Sequence, residues 1–397
     1  MVPCSRARAV PILRSRSRQA KATRMKDTGS ERTPPTADVL TWPSRSWPRI
    51  VSGMQSLSWV RTPLLIAAVS RLYSILLILA FPTPTLARTR LVAWDGHWYL
   101  DIARYGYHAQ AIQNGPNGGH HDFAFYPLWP FVIRAIPHFT ALGSLIAANL
   151  FFILAAVLLY RVFQDRFGPQ AAWSGVALLS FSPPAYVFSM AYSEPLFLLL
   201  VALFFTRPVR ALRPLIAAAA MLTRVTGLAL LVPAAVECVR EPAQRRNAVF
   251  TGLAVVLAFS AWWTFIALLT GDPLGWLHGS LAWSQSAGPR AILRALRTPS
   301  PVSVAWLSFV GLMLVGAVLA LRRDLSLGGY SVAAIAMPIL FGILPSMARL
   351  STVAVAAYPE LGRRFGRRGS IALVVVFAAL QILFVSTVFG PGGRRPP

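Results

Sequence analysis

LIAAAAMLTRVTGLALLVPAAVECV, residues 215–239, is a 25-residue apolar run with Thr223, Arg224, Thr226 and Gly227 at its middle. As one helix it would rise about 37 Å, enough to cross a hydrocarbon core of about 30 Å. That reading leaves Arg224 near mid-bilayer, where a charge costs about 2.5–3.5 kcal/mol on insertion scales. The alternative is a hairpin of two short half-helices that enters and leaves on one side, tolerated where irregular backbone lines a cavity. The two readings place the rest of the chain differently.

Only the hairpin keeps the basic loops together. Apolar runs mark spans near 63–82, 140–160, 170–190, 194–206, 248–269, 303–321, 328–345, 349–360 and 370–389. With the hairpin inserted, RVFQDRF (161–167), RPVRALR (207–213), REPAQRR (240–246), LRRD (321–324) and RRFGRR (363–368) all fall on one side. Cytoplasmic loops carry such an excess of arginine. The expectation is an all-α polytopic membrane protein, with about 9 to 11 transmembrane helices over 61–390 and a short tail at 391–397.

Composition agrees. Of 397 residues 55% are hydrophobic and 13% are charged, against about 25% charged in ordinary soluble domains. The formal net charge of +25 would suit a nucleic-acid binder. The loop positions of the arginines account for it without a polyanion, so no nucleic-acid partner is expected. Residues 1–60 are basic and lack an apolar core, which predicts a disordered cytoplasmic leader rather than a signal peptide. Met54 opens a shorter reading frame leading straight into the first span. Cys4 and Cys238 suggest no disulfide framework.

On this map two large loops, 83–139 and 270–302, lie outside. They and the adjoining span mouth collect Asp95, Asp101, Asp122, Glu194 and Asp272, together with His97, His108, His120, His121, His138 and His278. Carboxylates, imidazoles and aromatics gathered on one face suggest a reaction or binding site. Arg71, inside the first span, has no motif around it, and pairing with a neighbouring acid would explain it equally well.

WDGHWYLDIARYGYH, residues 94–108, has helical spacing from Asp95. His97, Asp101, Arg104 and His108 make a polar stripe, and Trp94, Trp98, Ile102 and Tyr105 an apolar one, which predicts an amphipathic helix lying on the membrane. Asp101 can then pair with His97 and Arg104. Asp95 sits at the helix start. It reads either as an N-cap or as a general base partly desolvated by Trp94 and Trp98. Glu194 reads as a helix N-terminal charge or as a binding group, and Arg349 as an interfacial anchor or an anion binder. His120, His121 and Asp122 in GGHHD lack regular metal-ligand spacing.

WDGHWYLDIARYGY resembles the first-loop signature of the glycosylphosphatidylinositol mannosyltransferase 2 (PIG-V-like) family, in the GT-C superfamily of polytopic glycosyltransferases. FAFYPLWPFVIR (123–134), SMAYSEPLF (189–197), TRVTG (223–227), GDPLGWL (271–277) and SMARL (346–350) resemble further family segments in the same order. The resemblance implies a GT-C-type bundle and transfer of mannose from a polyprenyl phosphate to an acceptor on the outer face of a cell membrane. It implies Asp95 as catalytic base. Arg349, Arg224, His120 and His121 then become candidates for the donor phosphate. Glu194, Trp94, His97, Trp98, Asp122 and Asp272 become candidates for support or acceptor binding. No metal or cofactor is implied, and the partners are a lipid-phosphate sugar, a lipid or glycan acceptor and the bilayer. The long basic leader resembles those of bacterial reading frames, which would make the acceptor an envelope glycan. Another lipid-linked sugar, a protein acceptor, or a transporter are the rival readings.

Overall fold

A computed structural model describes residues 58–81, 90–110, 120–136, 140–206, 210–282, 288–341 and 344–390, all within one compact unit that spans 54–397. The leader at 1–57, the loop segments 82–89 and 111–119, His138 and the tail lie outside the described residues.

The described chain is helical, in the order α1 (Ser58–Ala80), α2 (Asp95–Tyr105), α3 (Leu128–Ala135), α4 (Ala141–Phe167), α5 (Pro169–Ser180), α6 (Glu194–Phe205), α7 (Arg213–Thr223), α8 (Leu231–Arg240), α9 (Arg245–Thr270), α10 (Gly275–Ala282), α11 (Pro289–Arg297), α12 (Pro301–Ala320), α13 (Leu325–Phe341), α14 (Leu344–Leu350) and α15 (Ala357–Phe389). Among the described residues five helices are long and apolar enough to cross a membrane, the ones built on 59–80, 141–167, 242–270, 301–320 and 357–389. Their outward faces carry the exposed apolar side chains, such as Leu65, Leu72, Leu154 and Val375, expected of a lipid-facing surface.

The other apolar segments are shorter than a span. Residues 170–190 form the 12-residue α5 and a 3₁₀ segment, Ala185–Ser189, rather than one helix. Residues 349–360 are not a span either. They hold the end of α14, a 3₁₀ turn at Ser351–Val353 and the start of α15, because Thr352 and Ser351 hydroxyls bond back to the carbonyls of Arg349 and Met347 and break the helix there.

The run 215–239 is a hairpin. Helix α7 stops at Arg224, whose backbone is extended (φ −160°, ψ 148°), and a 3₁₀ segment at Val225–Leu230 turns the chain into α8. Gly227 lets the turn fold back on α7, since a Cβ there would lie 2.5 Å from Met221 Cα and 2.6 Å from its nitrogen. At the open end, Arg213 Nη1 meets Glu237 Oε1 at 2.5 Å, with both side chains buried. Entry and exit therefore share one end. The pair also satisfies two charges that would be costly alone in a low-dielectric interior.

The same end holds other basic loops. Arg166, at the close of α4, pairs with Asp324 before α13, and Arg363 and Arg364 pair with Glu360 on α15. From this basic end α6 and α7 rise only 12 and 11 residues, about 18 and 16 Å. Their far ends, Glu194 and Arg224, thus stand roughly halfway along the long helices. Over them lies the segment around α2 and α3. Trp129 Nε1 donates to the Ala191 carbonyl (3.1 Å), and Ala191 N donates to the Leu91 carbonyl (3.0 Å). Helix α2 buries Trp98, Tyr99, Leu100 and Ile102, each stabilising by roughly 1.5–3 kcal/mol, so it is packed on the protein and not merely afloat at an interface.

Candidate functional site

Four charged side chains meet where the short helices end. Arg349, on the short α14, places Nη1 2.7 Å from Asp95 Oδ2 and Nε 3.3 Å from Glu194 Oε1. Arg224 Nη1 lies 2.8 Å from Glu194 Oε2 and donates to Ser193 Oγ at 2.9 Å. Ser193 Oγ shares a hydrogen with the Tyr99 hydroxyl at 2.8 Å, and the Arg349 guanidinium lies 5.2 Å from the centre of the Tyr192 ring. Two carboxylates and two guanidiniums leave the set formally neutral, which is what makes it tolerable at this depth.

Local sequence explains each placement. Glu194 opens α6 with Pro195 behind it, a favoured start in which a carboxylate also faces the positive end of the helix dipole. Arg224 projects from the break between α7 and its return. Arg71 fixes the segment between α5 and α6. It donates to the carbonyls of Ala185 (2.7 Å) and Ser180 (3.0 Å) and to Ser189 Oγ (3.2 Å), and lies 4.1 Å from the Phe152 ring centre. Its partners are carbonyl oxygens and serine hydroxyls rather than an acid, because the break between α5 and α6 leaves buried carbonyls that need a donor.

The site is nearly closed. Glu194 is fully buried and Arg349 is 7% exposed, whereas the Asp95 side chain, at 18%, lies on the rim. Both Glu194 oxygens and Nε and Nη1 of Arg349 meet at ion-pair distance without hydrogen-bond alignment. Donor and acceptor capacity is left for an incoming ligand.

Several expectations change here. Asp95 is the first helical residue, not the cap. Trp94 precedes the helix with φ 58°, the one positive-φ residue other than glycine among the described residues, and no side chain caps it. Asp95 is oriented by Arg349 rather than isolated among tryptophans. Helix α2 ends at Gly106, so His108 leaves the polar stripe and binds Asp122 instead, through its ring (2.9 Å) and its backbone N–H (3.0 Å). Tyr105 is 72% exposed and does not join the apolar stripe. His97 and Asp101 are exposed, and Asp101 makes no ion pair among the described residues.

Asp122 and Asp272 pair with His108 and His278 rather than with the cluster, and His121 follows the half-buried His120. The His121 ring lies 4.5 Å from that of Phe123, and burial pushes its pKa below the usual 6.5, so it is neutral at pH 7. Burial raises the Asp122 carboxyl against the opposing hydrogen bonds from His108. Asp272 accepts from Leu274 N–H (2.9 Å) and pairs with His278 (2.7 Å), and these hold its pKa low. Trp98 stacks on Phe125, 5.4 Å between centres. Among the described residues no three His, Cys, Asp or Glu side chains come together as a metal site. Tyr99, Tyr192 and Ser193 also join the site, and WDGHWYLD and YSEP contain them, but their neutral side chains carry no charge to mark them in sequence. Burial keeps the Tyr99 hydroxyl well above its ordinary titration range.

Fold and site together define a polytopic helical membrane protein with a buried, charge-balanced cluster among its spans. Residues 83–208 match the family model described as Mannosyltransferase (PIG-V), and this segment holds the motifs at 94–107, 123–134 and 189–197. A curated relative, GPI mannosyltransferase 2 of Drosophila pseudoobscura pseudoobscura, is 30% identical over 118 residues, covering 26% of this chain and 24% of that protein. The chain thus spans about a quarter of the length of that relative. No solved structure matches it. The matched segment carries Asp95, Tyr99, Ser193 and Glu194, while Arg224 and Arg349 reach the cluster from beyond it.

Proposed function

We propose that the chain is an inverting GT-C-type glycosyltransferase that moves mannose from polyprenyl-phosphate mannose to a lipid-linked or envelope glycan acceptor, at a site open to the non-cytoplasmic face. The observation that supports this most is the ion-pair set joining Asp95, inside the family-matched segment, to Arg349, Glu194 and Arg224. In this reading Asp95 on the rim takes the proton of the acceptor hydroxyl as its oxygen attacks the anomeric carbon. The bond from that carbon to the phosphate oxygen breaks, and polyprenyl phosphate leaves with the electron pair. Its growing negative charge needs donors already in place, and Arg349 and Arg224 supply them. Arrival of the donor phosphate draws Arg349 from Asp95 and frees the carboxylate to act as base. Glu194 keeps both guanidiniums aimed. Burial disfavours the charged form of His121, so in this reading it contributes as a hydrogen-bonding group.

Membranes containing the chain, given radiolabelled polyprenyl-phosphate mannose, should move label into lipid or glycan. Transfer from a nucleotide sugar while polyprenyl-phosphate mannose synthesis is blocked would refute the donor. Vesicle uptake of the sugar lipid with no covalent product would refute the enzyme reading in favour of a transporter.

A further inference from the structure

The basic end of the molecule holds a second charged recess, which shares no residue with the site above. A cavity of about 420 Å³ is lined by Arg166, Leu319, Arg322, Arg323, Glu360 and the pair Arg363 and Arg364. Arg166 is committed to Asp324. Arg323, Arg363 and Arg364 all share one fully buried carboxylate, Glu360, at 3.8, 2.7 and 2.9 Å. Arg322, exposed beside them, makes no ion pair among the described residues. Four guanidiniums thus face one carboxylate, an excess of three positive charges in a concave space.

A preference for arginine in loops on one side explains why these residues lie at this end. It does not explain their convergence. Glu360 sits in the first turn of α15, and Gly366, at φ 64°, breaks the helix just beyond Arg364. The short helical piece between them carries Arg363 and Arg364 back onto Glu360. Arg322 and Arg323 come from the end of α12, and Leu319 adds an apolar wall toward the spans.

We propose that this recess binds a phosphate-bearing anion, the headgroup phosphate of an anionic glycerophospholipid, with its glycerol against Leu319 and its acyl chains in the bilayer. Guanidinium forks match phosphate oxygens in pairs, and basic pockets between spans at a membrane surface take such headgroups. The volume admits a phosphate with a glycerol and leaves no room for a folded polypeptide segment.

The test uses the purified full chain in vesicles of phosphatidylcholine with or without phosphatidylglycerol, with bound lipid counted by native mass spectrometry and melting followed in parallel. Arg322→Gln is the informative variant, because Arg322 holds nothing else together. Arg368→Gln, an exposed arginine on α15 outside the recess, controls for bulk charge. Expected are a melting temperature raised by phosphatidylglycerol, and binding weakened about tenfold in Arg322→Gln but not in Arg368→Gln. Glycerol 3-phosphate at millimolar concentration gives the second arm. Protection by it equal to that by the lipid would keep the phosphate site and replace a lipid source by a soluble one. Equal lipid binding by wild type and both variants, with no response to glycerol 3-phosphate, would overturn the proposal.

Discussion

Glu194→Gln is the sharpest probe of the buried charge cluster. The side chain is fully buried and stands between Arg349 Nε at 3.3 Å and Arg224 Nη1 at 2.8 Å. The amide keeps the shape and removes the charge, so the set changes from neutral to one uncompensated buried cation. Breaking a buried ion pair from one side costs about 3–5 kcal/mol. Spread over a chain of this size, that lowers the melting temperature by about 4–6 °C. The assay is thermal unfolding of the detergent-purified chain with Asp95→Asn alongside, whose loss is smaller because the carboxylate lies on the rim. Glu194→Gln/Arg224→Gln restores neutrality and should recover part of the loss, with a coupling of about 1–3 kcal/mol. Glu194→Gln melting within about 1 °C of wild type, or strict additivity in the double variant, would refute the reasoning.

Other outcomes follow from the same structure. Arg213→Gln unties the hairpin at its open end and should cost about 3–5 kcal/mol, read by unfolding, while Arg213→Met/Glu237→Leu recovers most of it. Gly227→Ala forces a Cβ into the Met221 backbone and should destabilise by about 3 kcal/mol or fail to fold, seen as loss of a monodisperse purified species. His121 has a folded pKa below 6.5, so the unfolded chain takes up its proton first as pH falls. Stability should decline below about pH 6.5 through this group, and His121→Gln should flatten that part of the pH–melting curve.

Much of this arrangement is legible in sequence. A lone arginine between threonines in an otherwise apolar run, followed by glycine, announces the break at Arg224, because a helix would have to carry that charge through the bilayer. Asp95, Glu194 and Arg349 stand out for the same reason, as charges beside or within apolar segments. Side-chain partners over long separation are not legible. Spacing on α2 suggests His97 and Arg104 for Asp101, which forms no ion pair among the described residues, and Gly106 ends the helix before His108, which turns to Asp122. Arg71 offers no hint that its partners are the carbonyls of Ser180 and Ala185 and the Ser189 hydroxyl. The broken stretches 170–190 and 349–360 look like spans because hydropathy counts composition, whereas the hydroxyls of Ser351 and Thr352 decide where the helix stops.

In the proposed reaction Asp95 does the chemistry while the charges behind it hold the donor. Transfer of labelled mannose from polyprenyl-phosphate mannose should fall by about 10²–10⁴ in Asp95→Asn, with the fold retained, and stay near wild type in Asp101→Asn on the exposed face of the same helix. Equal transfer by Asp95→Asn and wild type would contradict it.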